Sequence, residues 1–126
     1  MNKIDPYLQE LKNNFSKNIT RSAEFRREQL KQLIKGCREL EAEMTSSCLK
    51  DIGRYHFFTQ IGEIDGVISH CEHNLQNLDG YMSDVHFDPA LAFAPNTTRL
   101  YYEPLGVTLI MGSWNYPYFV CLKPLA

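Results

Sequence analysis

No apolar run in this chain is long enough to cross a bilayer. The longest, Val107 to Met111, includes a threonine and falls far short of the roughly 20 residues a spanning helix needs. The amino end offers no export signal either, because Met1 to Leu11 carries charges throughout and has no apolar centre. Neither sign of charge dominates. Thirteen Lys and Arg against fifteen Asp and Glu leave a formal charge of −2, which excludes a global basic field for nucleic acid or an anionic membrane surface. The four cysteines, Cys37, Cys48, Cys71 and Cys121, form no CxxC pair, so a zinc or redox motif of that kind is absent and free thiols are expected. Two sequons, Asn18-Ile19-Thr20 and Asn96-Thr97-Thr98, have no export signal to give them meaning. Repeats and low-complexity tracts are also missing. What remains is a chain of 126 residues, 44% hydrophobic and 12% aromatic, which suits one folded domain and argues against disorder. A soluble protein of the cytoplasm is expected.

The first part reads as helix. Asp5-Pro6 makes a helix start, and Leu8, Leu11 and Phe15 give a short apolar stripe. Thr20 or Ser22 can cap a longer helix running to about Asp51. Its apolar positions, Leu30, Leu33, Ile34, Cys37, Leu40, Met44 and Cys48, recur at steps of three and four, and Gly53 is placed to end it. The charges around Arg26, Arg27, Lys31 and Lys35 are interleaved with Glu24, Glu28 and Glu39, as on a solvated face. A third helix carries Phe57, Ile61, Ile64, Ile68, Cys71, Leu75 and Leu78, with Gly80 to close it. This stripe is heptad-like, but antiparallel packing on the second helix is the cheaper use of it.

Periodicity is lost from Tyr81 to Asn96, where Pro89 and Pro95 bracket a loop with apolar anchors such as Leu91 and Phe93. Thr97 to Glu103 is rich in strand formers. Val107-Thr108-Leu109-Ile110-Met111 predicts a strand covered on both faces, of the parallel-sheet kind. Gly112 to Asn115 turns the chain, and Pro117 starts a helix lined by Tyr118, Phe119, Leu122 and Leu125. No return strand follows in these residues. The expectation is an α/β chain, incomplete at its carboxyl end. Residues 1–80 form a helical segment, 81–96 a connecting loop, and 97–126 the start of a sheet domain.

Several residues invite chemistry and have a plainer reading beside it. His70 and His73 lie one helical turn apart with Cys71 between them, but no third and fourth ligand is placed to complete a zinc set, so no metal site is assigned. Asn115, on residue type alone, is a turn former ahead of Pro117. Trp114 can equally anchor a core.

One segment carries more. Glu103-Pro104-Leu105-Gly106-Val107, followed by Gly112-Ser113-Trp114-Asn115-Tyr116-Pro117, resembles the aldehyde dehydrogenase superfamily, and within it the class 3-like branch acting on fatty and aromatic aldehydes. Thr20-Arg21-Ser22, Phe25-Arg26, Gln29-Leu30 and Asp51-Ile52-Gly53-Arg54 are similar to that branch's amino-terminal helices, so the resemblance runs from about Ser16 to Ala126. It implies NAD(P)-dependent oxidation of an aldehyde to a carboxylic acid, with NAD or NADP as cofactor and a homodimer for the complete protein. It also implies that residues 97–126 begin a Rossmann-like cofactor domain, since Gly106 and Gly112 make no GxGxxG fingerprint of their own. By the same resemblance Asn115 donates to the oxyanion, Met111, Gly112, Ser113 and Trp114 lie along the cofactor, and Tyr116 stands beside the substrate. The bare Cα of Gly112 is expected to let a ligand approach the backbone. The family's nucleophilic cysteine and general-base glutamate are expected beyond residue 126, as is any carboxyl-terminal membrane tail. This makes the chain an amino-terminal fragment without activity of its own. Cys121 does not match the nucleophile. The alternative is a non-enzymatic helical interaction module built on the Phe57–Leu78 stripe, or a truncated paralogue that binds a full-length dehydrogenase.

Overall fold

The computed structural model describes residues 4–126. Helix α1, Asp5–Ser16, carries Pro6 in its first turn. Asp5 stands inside that turn, and the N-cap position belongs to Ile4. Helix α2, Ala23–Glu39, is capped by Ser22, whose Oγ accepts the Phe25 N–H at 3.2 Å. The expected continuous helix to Asp51 is broken at Leu40, and α3, Glu41–Ile52, follows. The break costs little hydrogen bonding, because Leu40 N–H still reaches the Gly36 carbonyl and Met44 N–H reaches that of Leu40. What it permits is a new direction, in which Met44, Thr45 and Cys48 are buried. Gly53 ends α3 at φ 68°, a left-handed conformation that glycine adopts without steric cost.

The third apolar stripe is not one regular helix. A short turn, α4 (His56–Thr59), passes into a π-helical turn over Gln60–Asp65 and then into α5, Gly66–Met82. Wider i→i+5 bonding shifts the phase of everything before it. Phe57 and Ile61 are therefore exposed, whereas Ile64, Cys71 and Leu78 are buried and Ile68 and Leu75 pack at the core's edge. The fully buried row at the amino end is instead Thr59, Glu63, Val67 and Cys71. Gly80 does not close α5, which continues to Met82.

Helices α2 and α5 pack as the antiparallel pair the stripe favours. Arg27 near the start of α2 pairs with Asp79 near the end of α5, and Arg38 near the end of α2 pairs with Glu72. Leu30, Ile34, Cys37, Met44, Ile64, Val67 and Cys71 form the core. Ile64, Cys71 and Leu78 of the stripe on which the interaction-module reading stood are used within the chain, while Phe57 and Ile61 stay exposed.

The strands differ from those expected. β1, Val85–Phe87, pairs antiparallel with β2, Thr98–Leu100, in the register Val85↔Leu100 and Phe87↔Thr98. The first of these lies in the segment expected as loop, and the supposed anchors Leu91 and Phe93 are exposed. Val107 to Met111 forms no strand, and Leu109 is 82% exposed. A parallel strand needs neighbours to take its N–H and C=O groups, and none lies beside it here. The chain turns over Trp114–Tyr118 into α6, Phe119–Leu125, two residues later than Pro117. Tyr118, Phe119, Leu122 and Ala126 pack on the helical core, and Leu125 stays exposed. The described residues are thus helix-rich with one two-stranded sheet, and the strand of the expected strand–turn–helix is not formed.

Candidate functional site

The turn at Gly112–Pro117 is positioned by the helices behind it. Arg54 follows the Gly53 turn, and its guanidinium has two jobs. One nitrogen pairs with Glu63 Oε1, and the other donates to the backbone carbonyl of Asn115. Its plane also lies over the Tyr116 ring, 4.3 Å from the centroid. Glu63, on the π-helical turn, has no exposed surface. Its second oxygen accepts the backbone N–H of Tyr118 at 2.7 Å and of Phe119 at 3.3 Å, at the start of α6. The Cys48 thiol donates to its first oxygen at 3.6 Å. A buried carboxylate is tolerated only when its lone pairs are occupied, and these four donors occupy them.

Small residues complete the seat. A Cβ on Gly66 would stand 2.8 Å from the Phe119 ring, and one on Gly62 would stand 3.4 Å from that of Tyr116. The turn's aromatic side chains therefore rest where helix side chains are missing.

The residues singled out from the sequence lie in order along this turn. Met111 and Trp114 are 85% and 87% exposed, so Trp114 is not a core anchor. Ser113 is exposed and its hydroxyl donates to Asn115 Oδ1. The carbonyl end of the Asn115 amide is thereby engaged, and its N–H₂ end is the one left to donate outward. Asn115 itself is exposed, and Tyr116 is half-exposed under the Arg54 guanidinium. Gly112 has a different neighbour from the one expected. A Cβ there would collide with Cys121 Sγ and stand 2.8 Å from Val120 Cγ2. Its missing side chain admits α6 on that side of the backbone.

Among the described residues, three of the four thiols and two histidines are engaged elsewhere. Cys37, Cys48 and Cys71 are buried free thiols, and burial pushes all three above the ordinary thiol range. The carboxylate of Glu63 adds to this at Cys48, and Cys37 adds to it at Cys71. Such thiols are poor nucleophiles. His70 contacts the Asn74 side chain at 3.4 Å and His73 the Tyr81 hydroxyl at 3.0 Å. An apolar cleft of about 780 Å³ between α2 and α5, lined by Phe25, Leu33, Leu78 and Tyr81, includes no residue of the turn.

Arg54 was visible in the sequence only as part of Asp51-Ile52-Gly53-Arg54, and Glu63 was not singled out. Its signal was present: Glu63, Val67 and Cys71 recur at steps of four, which puts one acid on a core-facing row.

The path of this chain has a counterpart in a solved structure. The solved structure described as the substrate-bound state of Staphylococcus aureus AldH superposes with a TM-score of 0.96 at 26% identity, over 99% of this chain and 27% of that one. The match to the aldehyde dehydrogenase family covers residues 2–126, and the chain belongs to that family. Relatives include aldehyde dehydrogenase family 3 member B1 of Bos taurus, 35% identical over 97% of this chain and 27% of that protein. The putative aldehyde dehydrogenase AldX of Bacillus subtilis is 34% identical over 83% of this chain and 23% of its own length. The family 3 resemblance read from EPLGV and GSWNYP is thus shown. The chain spans about a quarter of the length of the curated relatives it matches.

Proposed function

We propose that the protein carrying this chain oxidises an aldehyde to a carboxylic acid with NAD or NADP, and that Asn115 is an oxyanion donor in that reaction. The observation that supports this most directly is the Asn115 amide, whose carbonyl is engaged by Ser113 while its backbone is held by Arg54. When a thiolate adds to an aldehyde, the carbonyl oxygen becomes an anion. A neutral amide N–H₂ can donate to it without giving up its proton, and a donor held in advance needs no reorganisation when the charge develops. A bound NAD or NADP would supply the hydride acceptor for the oxidation. Met111, Ser113 and Trp114 fit contact with it, being exposed and free of regular secondary structure. Gly112 would meet it through its backbone, on the side away from Cys121 and Val120.

Residues 97–126 would then begin a Rossmann-like cofactor domain after the helical segment 1–80 and the connection 81–96. Val107 to Met111 would become its parallel strand once neighbouring strands pair with it. Tyr116, half-exposed and flat, would stand beside the aldehyde. None of Cys37, Cys48, Cys71 and Cys121 is assigned as nucleophile. A cytoplasmic homodimer is the proposed state of the whole protein. Among the described residues no helix is long and apolar enough to cross a membrane.

The test is aldehyde-dependent growth of reduced-nicotinamide absorbance, run on the longest reading frame that carries this chain. Activity is expected there and not from the 126 residues alone. Asn115→Ala should lower kcat about 10²–10³-fold with KM little changed. An unaltered kcat would remove Asn115 from the chemistry.

A further inference from the structure

We infer that Arg54 and Glu63 are positioning residues that set where the Asn115 carboxamide stands, an inference that rests on the oxyanion role proposed above. Between them these two side chains hold the backbone on both sides of Pro117. Arg54 donates to the carbonyl of Asn115 and covers the ring of Tyr116. Glu63 accepts from the amides of Tyr118 and Phe119. Their mutual ion pair ties the two holds together.

The surroundings are shaped to the same end. Gly62 and Gly66 flank Glu63 and leave the room that Tyr116 and Phe119 occupy. Glu63 sits in the π-helical turn Gln60–Asp65, and such turns are local departures that re-aim a side chain. A purely structural role would not require this pair. Buried ion pairs are weak stabilisers, because desolvation offsets their attraction, and apolar residues of similar volume pack a core at least as well. What apolar residues cannot do is accept two backbone N–H groups and donate to the Asn115 carbonyl. A carboxamide displaced by about 1 Å from its productive position can lose about 10²-fold in rate.

Arg54→Lys separates positioning from packing. A lysine can keep the charge pair with Glu63, but as a point charge it has no planar fork to reach Asn115 and cover Tyr116 together. In the aldehyde assay on the longest reading frame, Arg54→Lys should melt close to the unmutated protein while kcat falls about 10–100-fold. KM should stay within about threefold, since the loss is confined to the transition state. On an Asn115→Ala background the same substitution should cost nothing further, because both act through one group. A full kcat in Arg54→Lys, or a loss that simply multiplies with that of Asn115→Ala, would overturn the inference.

A second measurement does not depend on turnover. In the longest reading frame that carries this chain, Glu63→Ala should speed hydrogen exchange of the Tyr118 and Phe119 amides about tenfold or more relative to those of α2. Unchanged exchange would show that Glu63 does not hold the turn. If Asn115→Ala leaves kcat intact while these amides do respond, the oxyanion reading fails and the hold on the turn stands.

Discussion

Glu63 shows how one buried charge can organise a segment more than 50 residues away in sequence. Removing its carboxylate would take one partner from the Arg54 guanidinium and leave two amide N–H groups without theirs, a loss of about 3–5 kcal/mol for a buried pair. His70 on α5 gives a pH dependence. Burial, then the charges of Lys123 and His73, hold its pKa below the ordinary imidazole value. The unfolded chain therefore binds the His70 proton more readily than the folded one, so this contribution is present above about pH 6.5 and is lost as pH falls through the lower folded value. Urea midpoints should drop between about pH 7 and pH 5.5, and His70→Gln should flatten that slope. A slope unaffected by the substitution would assign it to other groups.

At the scale of elements, local signals governed helix ends well where a side chain or backbone conformation acts by itself. Ser22 caps α2 and Gly53 closes α3, both as their residue types imply. Ser22→Ala should cost about 1 kcal/mol, seen as a lower urea midpoint with an unchanged slope. Gly80 carried the same type of signal and failed, because packing of Leu78 and the Ser83 hydroxyl bond to the Asp79 carbonyl at 2.5 Å carry α5 past it. The break at Leu40 and the π turn at Gln60–Asp65 were also beyond local reading. Both regions have good apolar periodicity, and only the need to aim Cys48 and Glu63 at one place selects a bend in the first and a wider turn in the second.

The whole molecule divides into a packed helical body and a weakly covered carboxyl-terminal third. Leu105, Leu109, Met111 and Trp114 all stand largely in solvent, and large apolar side chains left exposed favour association. The 126-residue chain by itself should bind a hydrophobic dye and associate with rising concentration, with partly cooperative melting. A soluble monomer that melts sharply without dye binding would contradict this. Close superposition on the Staphylococcus aureus structure, at TM-score 0.96, shows that the same path of chain occurs inside a much longer protein.

Composition, periodicity and the GSWNYP string were enough to establish a helical arm, its antiparallel pairing and the family, because each depends on residues close together in the chain or on one face of one helix. Tertiary structure alone decided that Gly112 makes room for Cys121, that Val107 to Met111 stays unpaired, and that Arg54 and Glu63 grip the Asn115 turn. Those are contacts between distant segments. Their energy comes from desolvation and hydrogen-bond satisfaction at a shared location, and a one-dimensional pattern does not contain that location.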